Sequence, residues 1–346
     1  MSYGAFRGSN NLFVFTFFCW MAGKVGDPHI IPAISTFLVY YIGFYVTCQM
    51  GADLACKESK IIEYILFTLL ALNCYAIINN VRNVLAFCLI GFATFRDCYQ
   101  KKRTPWTYLL YIFPLFLHES AILILILRFV MLLSGKIKAF FFVAVAFIFP
   151  ILDWLNSVIP RLTGNSALTR MIRKFITKAY WYFNDSSSSW GLLVQKSTSF
   201  RMERFANIAL AFIFCFLSFY LSEKKIIPIT PERNEKQVDK IYSIMDYSFY
   251  LGVFTIACIP MLTPEYWRFF TAMTTFAGGI YLTSSNWAPK YVRFLHKIIF
   301  LFAFLCAVIW ARGLLNSELN SLFLKPFISS PVLIFVNDVL NCFNVL

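Results

Sequence analysis

Long apolar runs with few charges are the feature that most restricts how this chain can fold. Hydrophobic residues make up 59% of its 346 residues and charged residues only 14%, whereas soluble domains have about 45–50% and about 25%. One water-soluble core could not bury so many apolar side chains, so lipid is the expected solvent. Backbone polar groups in lipid must pair internally, which restricts a spanning segment to a helix or a closed barrel. The runs are continuous rather than alternating, which favours helices.

We therefore expect an all-α, polytopic integral membrane protein with about 10–12 transmembrane helices. The first run is expected to be a retained helix, because no small-residue cleavage site of a signal peptide follows it. The fifth and sixth helices could be one helix broken near His118 or a hairpin of two short helices. The candidate helices are roughly 10–22, 30–50, 61–79, 81–96, 106–117, 119–134, 138–153, 203–222, 241–260, 268–286, 294–312 and 327–342.

Basic residues in the loops predict the orientation. If the N-terminus is cytoplasmic and the fifth and sixth helices form a hairpin, the short cytoplasmic loops collect most of the basic residues, as the positive-inside rule requires. The long basic loop, residues 154–202, then lies outside, since long segments are translocated largely regardless of charge. We expect a single transmembrane domain, residues 1–346, with this one long extracytoplasmic loop.

The long loop contains a basic segment with helical spacing. Arg170, Arg173, Lys174 and Lys178 recur among apolar residues such as Phe175. This pattern predicts an amphipathic helix at the membrane surface. It could serve only as an interfacial anchor, or it could also contribute to a site for an anionic substrate.

The charge and the cysteines exclude several other classes of protein. The formal net charge is +14, but the basic residues lie in loops between apolar runs, so we expect lipid rather than nucleic acid as the partner. Most of the ten cysteines sit inside apolar runs, and no CxxC pair or cysteine–histidine spacing occurs. We therefore expect no disulfide framework, no metal site and no cofactor.

Ionisable residues at membrane depth are costly, and each one is a candidate for function. Arg82, His118, Glu119 and Arg268 adjoin apolar runs, and all four fall on the outer side in this topology. Such residues can also have purely structural roles. An arginine at a helix end can extend to lipid headgroups, which we expect for Arg128, and His118 could simply cap a broken helix.

Four short stretches carry a resemblance to a known family. They are Asn80-Val-Arg82-Asn-Val-Leu-Ala86, a basic turn at residues 101–108, Phe116-Leu-His118-Glu-Ser120-Ala121, and Glu265-Tyr-Trp-Arg268-Phe-Phe. In order, spacing and hydropathy they resemble the EpsG-like and Wzy-type polysaccharide polymerases over roughly residues 30–310. The arginine and the H-x-S-A motif, about 36 residues apart, form the more specific part of the resemblance.

The resemblance implies an enzyme of the bacterial inner membrane that makes O-antigen or exopolysaccharide. Its substrates would be undecaprenyl-diphosphate-linked oligosaccharides, joined on the outer face by metal-independent glycosyl transfer, and a chain-length regulator would be a further partner. The leaving group is a diphosphate, so cations must stabilise developing negative charge, a role that suits Arg82. His118 or Glu119 would remove the proton of the acceptor hydroxyl. Substrate-binding residues would be Asn80, Arg268, Arg170, Arg173 and Lys174.

Two other classes remain open at the level of sequence. A membrane O-acyltransferase acting on surface sugars has a similar length and number of helices, but its N-terminal motifs have no convincing match here. A flippase or transporter predicts internal symmetry or polar residues along several midplane helices, and neither is clear in this chain.

Overall fold

The computed structural model describes residues 13–27, 29–132, 198–228, 235–258, 266–287 and 289–315. It also describes seven isolated positions in the long loop, which are Trp154, Ser157, Val158, Thr169, Arg173, Ile176 and Thr177. All regular structure within these residues is helical, and they contain no strand. The expectation of an all-α protein is confirmed for this part of the chain. The candidate helices at 138–153 and 327–342 fall outside the described residues, apart from the neighbouring Trp154.

Twelve segments of the described residues are α-helices. They are α1 (Phe13–Val25), α2 (Ile30–Asp53), α3 (Glu58–Ala71), α4 (Cys74–Asn79), α5 (Val81–Thr94), α6 (Pro105–Ile112), α7 (Ala121–Val130), α8 (Thr198–Lys224), α9 (Glu235–Cys258), α10 (Tyr266–Trp287), α11 (Lys290–Arg293) and α12 (Leu295–Leu315). A π-helical turn, Phe95–Tyr99, continues α5, and a 3₁₀ turn, Phe113–Phe116, continues α6.

Three of these helices are long and apolar enough to cross a membrane. They are α2, the Arg201–Lys224 part of α8, and α9, and shorter apolar helices occur at Val14–Val25, Ala121–Val130 and Leu295–Ala311. These lengths and compositions are those of an α-helical membrane protein.

The helix α10 lies at the centre of the bundle and packs against α2, α3, α5, α8 and α9. At Gly278 it packs tightly against both α2 and α3. A Cβ atom there would collide with the hydroxyl of Thr47 and would lie 2.5 Å from that of Thr68. Small residues that let backbones approach closely are typical of helix interfaces in membranes, and here they place α10 in the core.

Several threonine hydroxyls in this core form hydrogen bonds within their own helices. Thr271, Thr274 and Thr283 of α10 each donate to the backbone carbonyl four residues earlier, at 2.7–2.8 Å. Thr47 of α2 and Thr68 of α3 do the same. An unsatisfied polar group costs several kcal/mol in an apolar medium, about 2–7 in transfer experiments, so this local bonding lets α10 be polar and still buried.

The helices α6 and α7 form a hairpin, which resolves the choice left open by the sequence. Asp97, in the π-helical turn that continues α5, accepts a hydrogen bond of 2.8 Å from Arg103, just before α6. The same carboxylate accepts bonds of 3.0 and 2.5 Å from Arg128, near the end of α7. Because the start of α6 and the end of α7 meet the same residue, the turn that contains His118 lies at the opposite end of the pair.

The expectation for Arg128 is wrong. Its side chain does not extend outward toward headgroups, because the residue is only 9% exposed and its guanidinium is bonded to Asp97. A buried arginine needs a carboxylate partner to offset the loss of hydration, and Asp97 supplies it. Arg128 therefore joins the end of α7 to the π-helical turn that follows α5.

Candidate functional site

The candidate site lies where α3, α4 and α5 join, and we call this the Asn80 end of the bundle. The sequence predicts one helix over 61–79, but the structure breaks it at Leu72 and Asn73, so that α4 is a separate six-residue helix. Asn73 stabilises the break, since its Oδ1 accepts the Ala76 N–H at 2.8 Å and so caps α4. A second break follows at Asn80, where α5 begins.

Asn80 and Arg268 meet at this end. The Nε–H of Arg268, in the first turn of α10, donates to Asn80 Oδ1 at 3.0 Å. The amide group of Asn80 donates in turn to the carbonyl of Ala76 at 3.0 Å. The two residues were both predicted to bind substrate, and the fold brings them into direct contact. The contact fixes the orientation of the guanidinium, which is half-buried.

Arg82 lies two residues after Asn80, in the first turn of α5. Its guanidinium carbon is 4.9 Å from the ring centroid of Phe15 in α1, a cation–π contact. The side chain is half-buried. An arginine stacked on an aromatic ring is held in one plane, so Arg82 has a defined position and is not a freely extended surface cation.

A buried carboxylate that the sequence analysis missed adjoins the same end. Glu203, in the first turns of α8, is 4% exposed and accepts a 2.8 Å bond from the amide of Asn73. Asn73 and Asn80 lie at the two ends of α4, and seven residues at the helical rise place them about 10 Å apart. The short helix α4 thus connects an acidic residue of α8 with a basic residue of α10.

Glu203 was overlooked because of its neighbours in the sequence. It stands between Arg201 and Arg204 at the start of an apolar run, which is the usual pattern of a solvated helix end. Only the tertiary contact with Asn73 distinguishes it. The signal that could have found it is Asn73 itself, a polar residue inside the predicted helix 61–79.

His118 lies deeper in the bundle than the arginines. Its ring meets Phe87 edge-on, with 6.2 Å between centroids, and Phe87 lies five residues beyond Arg82, about 7.5 Å along α5. Phe87 stacks on Phe269 at 4.9 Å, and Phe269 adjoins Arg268. Two stacked phenyl rings therefore connect His118 with the arginine of α10.

The hydrogen bonding of His118 limits its chemistry. The residue is 8% exposed, and its Nδ1 accepts the backbone N–H of Ser120 at 3.2 Å. A neutral imidazole whose Nδ1 accepts a hydrogen bond carries its proton on Nε2. In this form His118 can donate a hydrogen bond from Nε2. The same contact is a local cap of the turn before α7, which is the structural role that the sequence left open.

The other residues predicted to act in catalysis or substrate binding are Glu119 and three basic residues of the long loop. Glu119, the alternative base, is exposed next to His118. Arg173 is helical and partly buried, as are the expected helical positions Thr169 and Ile176, while Arg170 and Lys174 fall outside the described residues. No group of three or more histidine, cysteine, aspartate or glutamate side chains suited to a metal ion occurs among the residues that the structure describes.

Comparison with protein-family models, with curated proteins and with solved structures gave no significant match.

Proposed function

We propose that the protein is a membrane-embedded glycosyltransferase that joins oligosaccharides carried on undecaprenyl diphosphate. The observation that carries the proposal is the contact between Asn80 and Arg268. Two stretches singled out by their resemblance to polysaccharide polymerases, far apart in the chain, meet there, and Arg82 follows Asn80 by two residues. Two oriented guanidinium groups at one end of a membrane bundle are suited to a lipid-linked diphosphate.

The reaction requires stabilisation of the leaving diphosphate, removal of the acceptor proton and a place for the polyprenyl tail. The bond between the anomeric carbon of the donor sugar and its diphosphate oxygen breaks, and the diphosphate leaves with the bonding electrons. Arg82 and Arg268 would stabilise the negative charge that develops on this leaving group. The acceptor hydroxyl forms the new glycosidic bond and gives up its proton, while the polyprenyl tail stays in the surrounding lipid.

His118 is better suited to orient a sugar than to remove its proton. With its proton on Nε2, it can donate a hydrogen bond to a sugar oxygen. Two carboxylates are candidates to accept the proton. They are Glu119, which is exposed beside His118, and Glu203, at the far end of α4. We assign His118 the orienting role and leave the proton to one of these carboxylates.

The proposal includes a topology. The Asn80 end would face the outside of the bacterial inner membrane, in a polytopic protein of about 10–12 spans, with the loop 154–202 on the same side. The basic loop could then cover the diphosphate. The turn at residues 101–103 and the loop between α8 and α9 would face the cytoplasm, in agreement with their charge.

The decisive experiment is reconstitution with a defined substrate. Purified protein in vesicles is given undecaprenyl-diphosphate-linked oligosaccharide, and products are separated by size. The proposal expects a ladder of longer saccharides, abolished in Arg82→Ala and strongly reduced in Arg82→Lys, since a point charge cannot replace a bidentate fork. If the lipid-linked oligosaccharide moves from one leaflet to the other without becoming longer, the protein is a flippase. Transfer of an acyl group to the sugar would indicate an acyltransferase.

The topology has its own test in intact cells. A cysteine at Ser188, in the long loop, should react with a membrane-impermeant thiol reagent. A cysteine at Lys236, exposed at the start of α9, should be protected until the membrane is opened. The unsubstituted protein gives the background from its native cysteines. The reverse labelling pattern would place the Asn80 end in the cytoplasm and exclude an outer active site.

A further inference from the structure

A turn of three consecutive basic residues lies at the end of the bundle opposite Asn80. Lys101, Lys102 and Arg103 connect the π-helical turn to α6, and all three are exposed. We call these three residues the basic turn. Its function is not explained by the proposed glycosyl transfer, because the candidate site lies at the other end of α5.

The basic turn is held in one conformation by its backbone and by its neighbours. The N–H of Lys102 donates to the carbonyl of Arg96 at 2.9 Å, and Thr107 donates from its hydroxyl to the carbonyl of Lys102 at 2.6 Å. Lys101 has a φ of +56°, a left-handed conformation that is uncommon for a residue with a side chain. The backbone of the basic turn is therefore held in one conformation before any partner binds.

The positive charge at this turn is not balanced within its own segment. Between Phe95 and Val130 the chain contains five basic residues, and the acidic residues are Asp97 and the distant Glu119 at the hairpin tip. Asp97 is already shared between Arg103 and Arg128. The Nη1 atom of Arg128 is buried and meets no hydrogen-bond partner among the described residues. Lys101 and Lys102 form no ion pair within the described residues, so their charge is available to an external anion.

An apolar surface begins directly beside the basic turn. Trp106, Leu109, Ile112 and Phe116 recur at three- or four-residue spacing along α6 and the 3₁₀ turn, and all are exposed in the bundle, Trp106 by 72%. Such a stripe on a membrane helix faces acyl chains. Tryptophan prefers the boundary between headgroups and hydrocarbon, so Trp106 marks the depth at which the basic turn meets the headgroup layer.

We propose that the basic turn and the exposed stripe of α6 form a binding site for an anionic phospholipid. The phosphate lies at Lys101 and Lys102, next to Arg103, and one acyl chain lies along the stripe toward Phe116. A soluble anion would use only the charges, whereas a phospholipid matches both the cations of the turn and the apolar surface that continues from them. The site rests on the protein being a membrane protein and does not depend on the proposed glycosyl transfer.

The experiment measures lipid binding to the purified full-length protein. Native mass spectrometry in a mild detergent follows titration with phosphatidylglycerol and, separately, with phosphatidylcholine of the same chain length. The test variant is Lys101→Gln with Lys102→Gln, which leaves Arg103 and its bond to Asp97 in place. Each lysine near an anionic headgroup contributes on the order of a factor of five in affinity, so the double variant should bind phosphatidylglycerol about 10–30-fold more weakly. Its binding of phosphatidylcholine should stay unchanged.

The matched control removes the same charge elsewhere. Lys224 and Lys225 are also consecutive and exposed, and Lys225 likewise has a positive φ. The exposed apolar residues that precede them in α8, among them Phe212, Phe216 and Phe219, include no tryptophan at the headgroup boundary. Lys224→Gln with Lys225→Gln should leave phosphatidylglycerol binding within about twofold of the unsubstituted protein. Trp106→Ala should weaken the binding of both lipids.

Three results would overturn the proposal. The first is an equal loss of phosphatidylglycerol binding in the control variant, which would show a general effect of charge. The second is equal binding of the two lipids by the unsubstituted protein. The third is displacement of bound phosphatidylglycerol by millimolar inorganic phosphate, which would show a simple anion site. Size-exclusion chromatography of each variant establishes that a loss of binding does not reflect unfolding.

Discussion

Arg268 donates its Nε–H to Oδ1 of Asn80 at 3.0 Å, although the two residues are 188 positions apart in the sequence. The carbonyl of Ala76 accepts the amide hydrogen of the same asparagine, so the orientation of the amide is determined by two bonds. A guanidinium held in this way presents its remaining edge in a constant direction. Preorganised donors of this kind stabilise a transition state without a cost of reorientation.

The contact between Asn80 and Arg268 can be tested by a double-mutant cycle. Asn80→Ala removes the acceptor and should lower polymer formation about 10-fold, equivalent to a hydrogen bond of about 1.4 kcal/mol to a charged group. Arg268→Lys should lower it at least as much. If the residues act together, the double variant should be little worse than Arg268→Lys alone. Asn286→Ala, which removes an asparagine bonded to Cys56 far from the site, should leave activity close to normal.

The ion pair that closes the hairpin predicts a large effect on stability. Breaking a buried pair costs about 3–5 kcal/mol when the remaining charge has no partner. Arg128→Leu leaves Asp97 with Arg103, so we expect a loss at the lower end of this range. The double variant Asp97→Leu with Arg128→Leu should regain most of this loss, because no buried charge remains at the pair. Thermal unfolding in detergent, followed by size-exclusion chromatography, measures both. Equal instability of the single and double variants would show that the pair does more than neutralise charge.

Some of this architecture could be read from the sequence, and the reason is physical. Apolar runs must become helices in lipid, so the class of fold and the approximate positions of α2, α5, α8, α9 and α10 followed directly. The run interrupted at His118 is compatible with a kink or a reversal, and only the charge of the loops favoured the hairpin. The choice depends on Asp97, whose two partners flank the hairpin and can be recognised only in three dimensions.

The candidate site shows the same limit. Arg82, His118 and Arg268 were found because an ionisable residue in an apolar run is conspicuous. Asn73 and Glu203 were not, because an asparagine within a predicted helix and a glutamate among arginines are both ordinary in sequence. Their importance comes from a hydrogen bond between residues 130 positions apart, which no local pattern contains.

The glycine at the centre of the bundle gives a prediction with an internal control. Gly278→Ala places a methyl group against the hydroxyls of Thr47 and Thr68, both on packed helices, and should destabilise the protein by about 1–3 kcal/mol. Gly23 lies in α1 with no atom within 4 Å of an added Cβ. Gly23→Ala should be neutral or stabilise by up to about 1 kcal/mol through helix propensity. Melting temperatures in one detergent compare the two variants directly.

The buried pair of Asn73 and Glu203 separates the effect of charge from that of hydrogen bonding. Glu203→Gln keeps the shape and an oxygen acceptor for the Asn73 amide, so its folded protein should reach the membrane in normal amounts. Asn73→Ala removes both the partner of Glu203 and the cap of α4, and should cost about 2–4 kcal/mol in total. If Glu203→Gln folds normally and yet makes no polymer, the carboxylate takes part in the reaction, and full activity assigns it to structure.

His118 allows the sharpest distinction between the two roles that it could have in catalysis. Its Nδ1 accepts the N–H of Ser120, so in the neutral ring the proton is on Nε2, which can donate a hydrogen bond. Two replacements imitate the two nitrogens separately, because the amide oxygen of asparagine can take the place of Nδ1, and the amide nitrogen of glutamine can take the place of Nε2.

The two replacements should behave differently in membranes and in the reconstituted assay. His118→Asn keeps the bond to Ser120, so the protein should be abundant, but polymer formation should fall about 10-fold, the value of one neutral hydrogen bond, because no donor reaches the sugar. His118→Gln keeps a donor in place of Nε2 and should be more active than His118→Asn. Loss of a general base would instead cost on the order of 10²–10⁴ in rate. A fall of that size in His118→Gln, with normal amounts of folded protein, would refute the orienting role and make His118 the base.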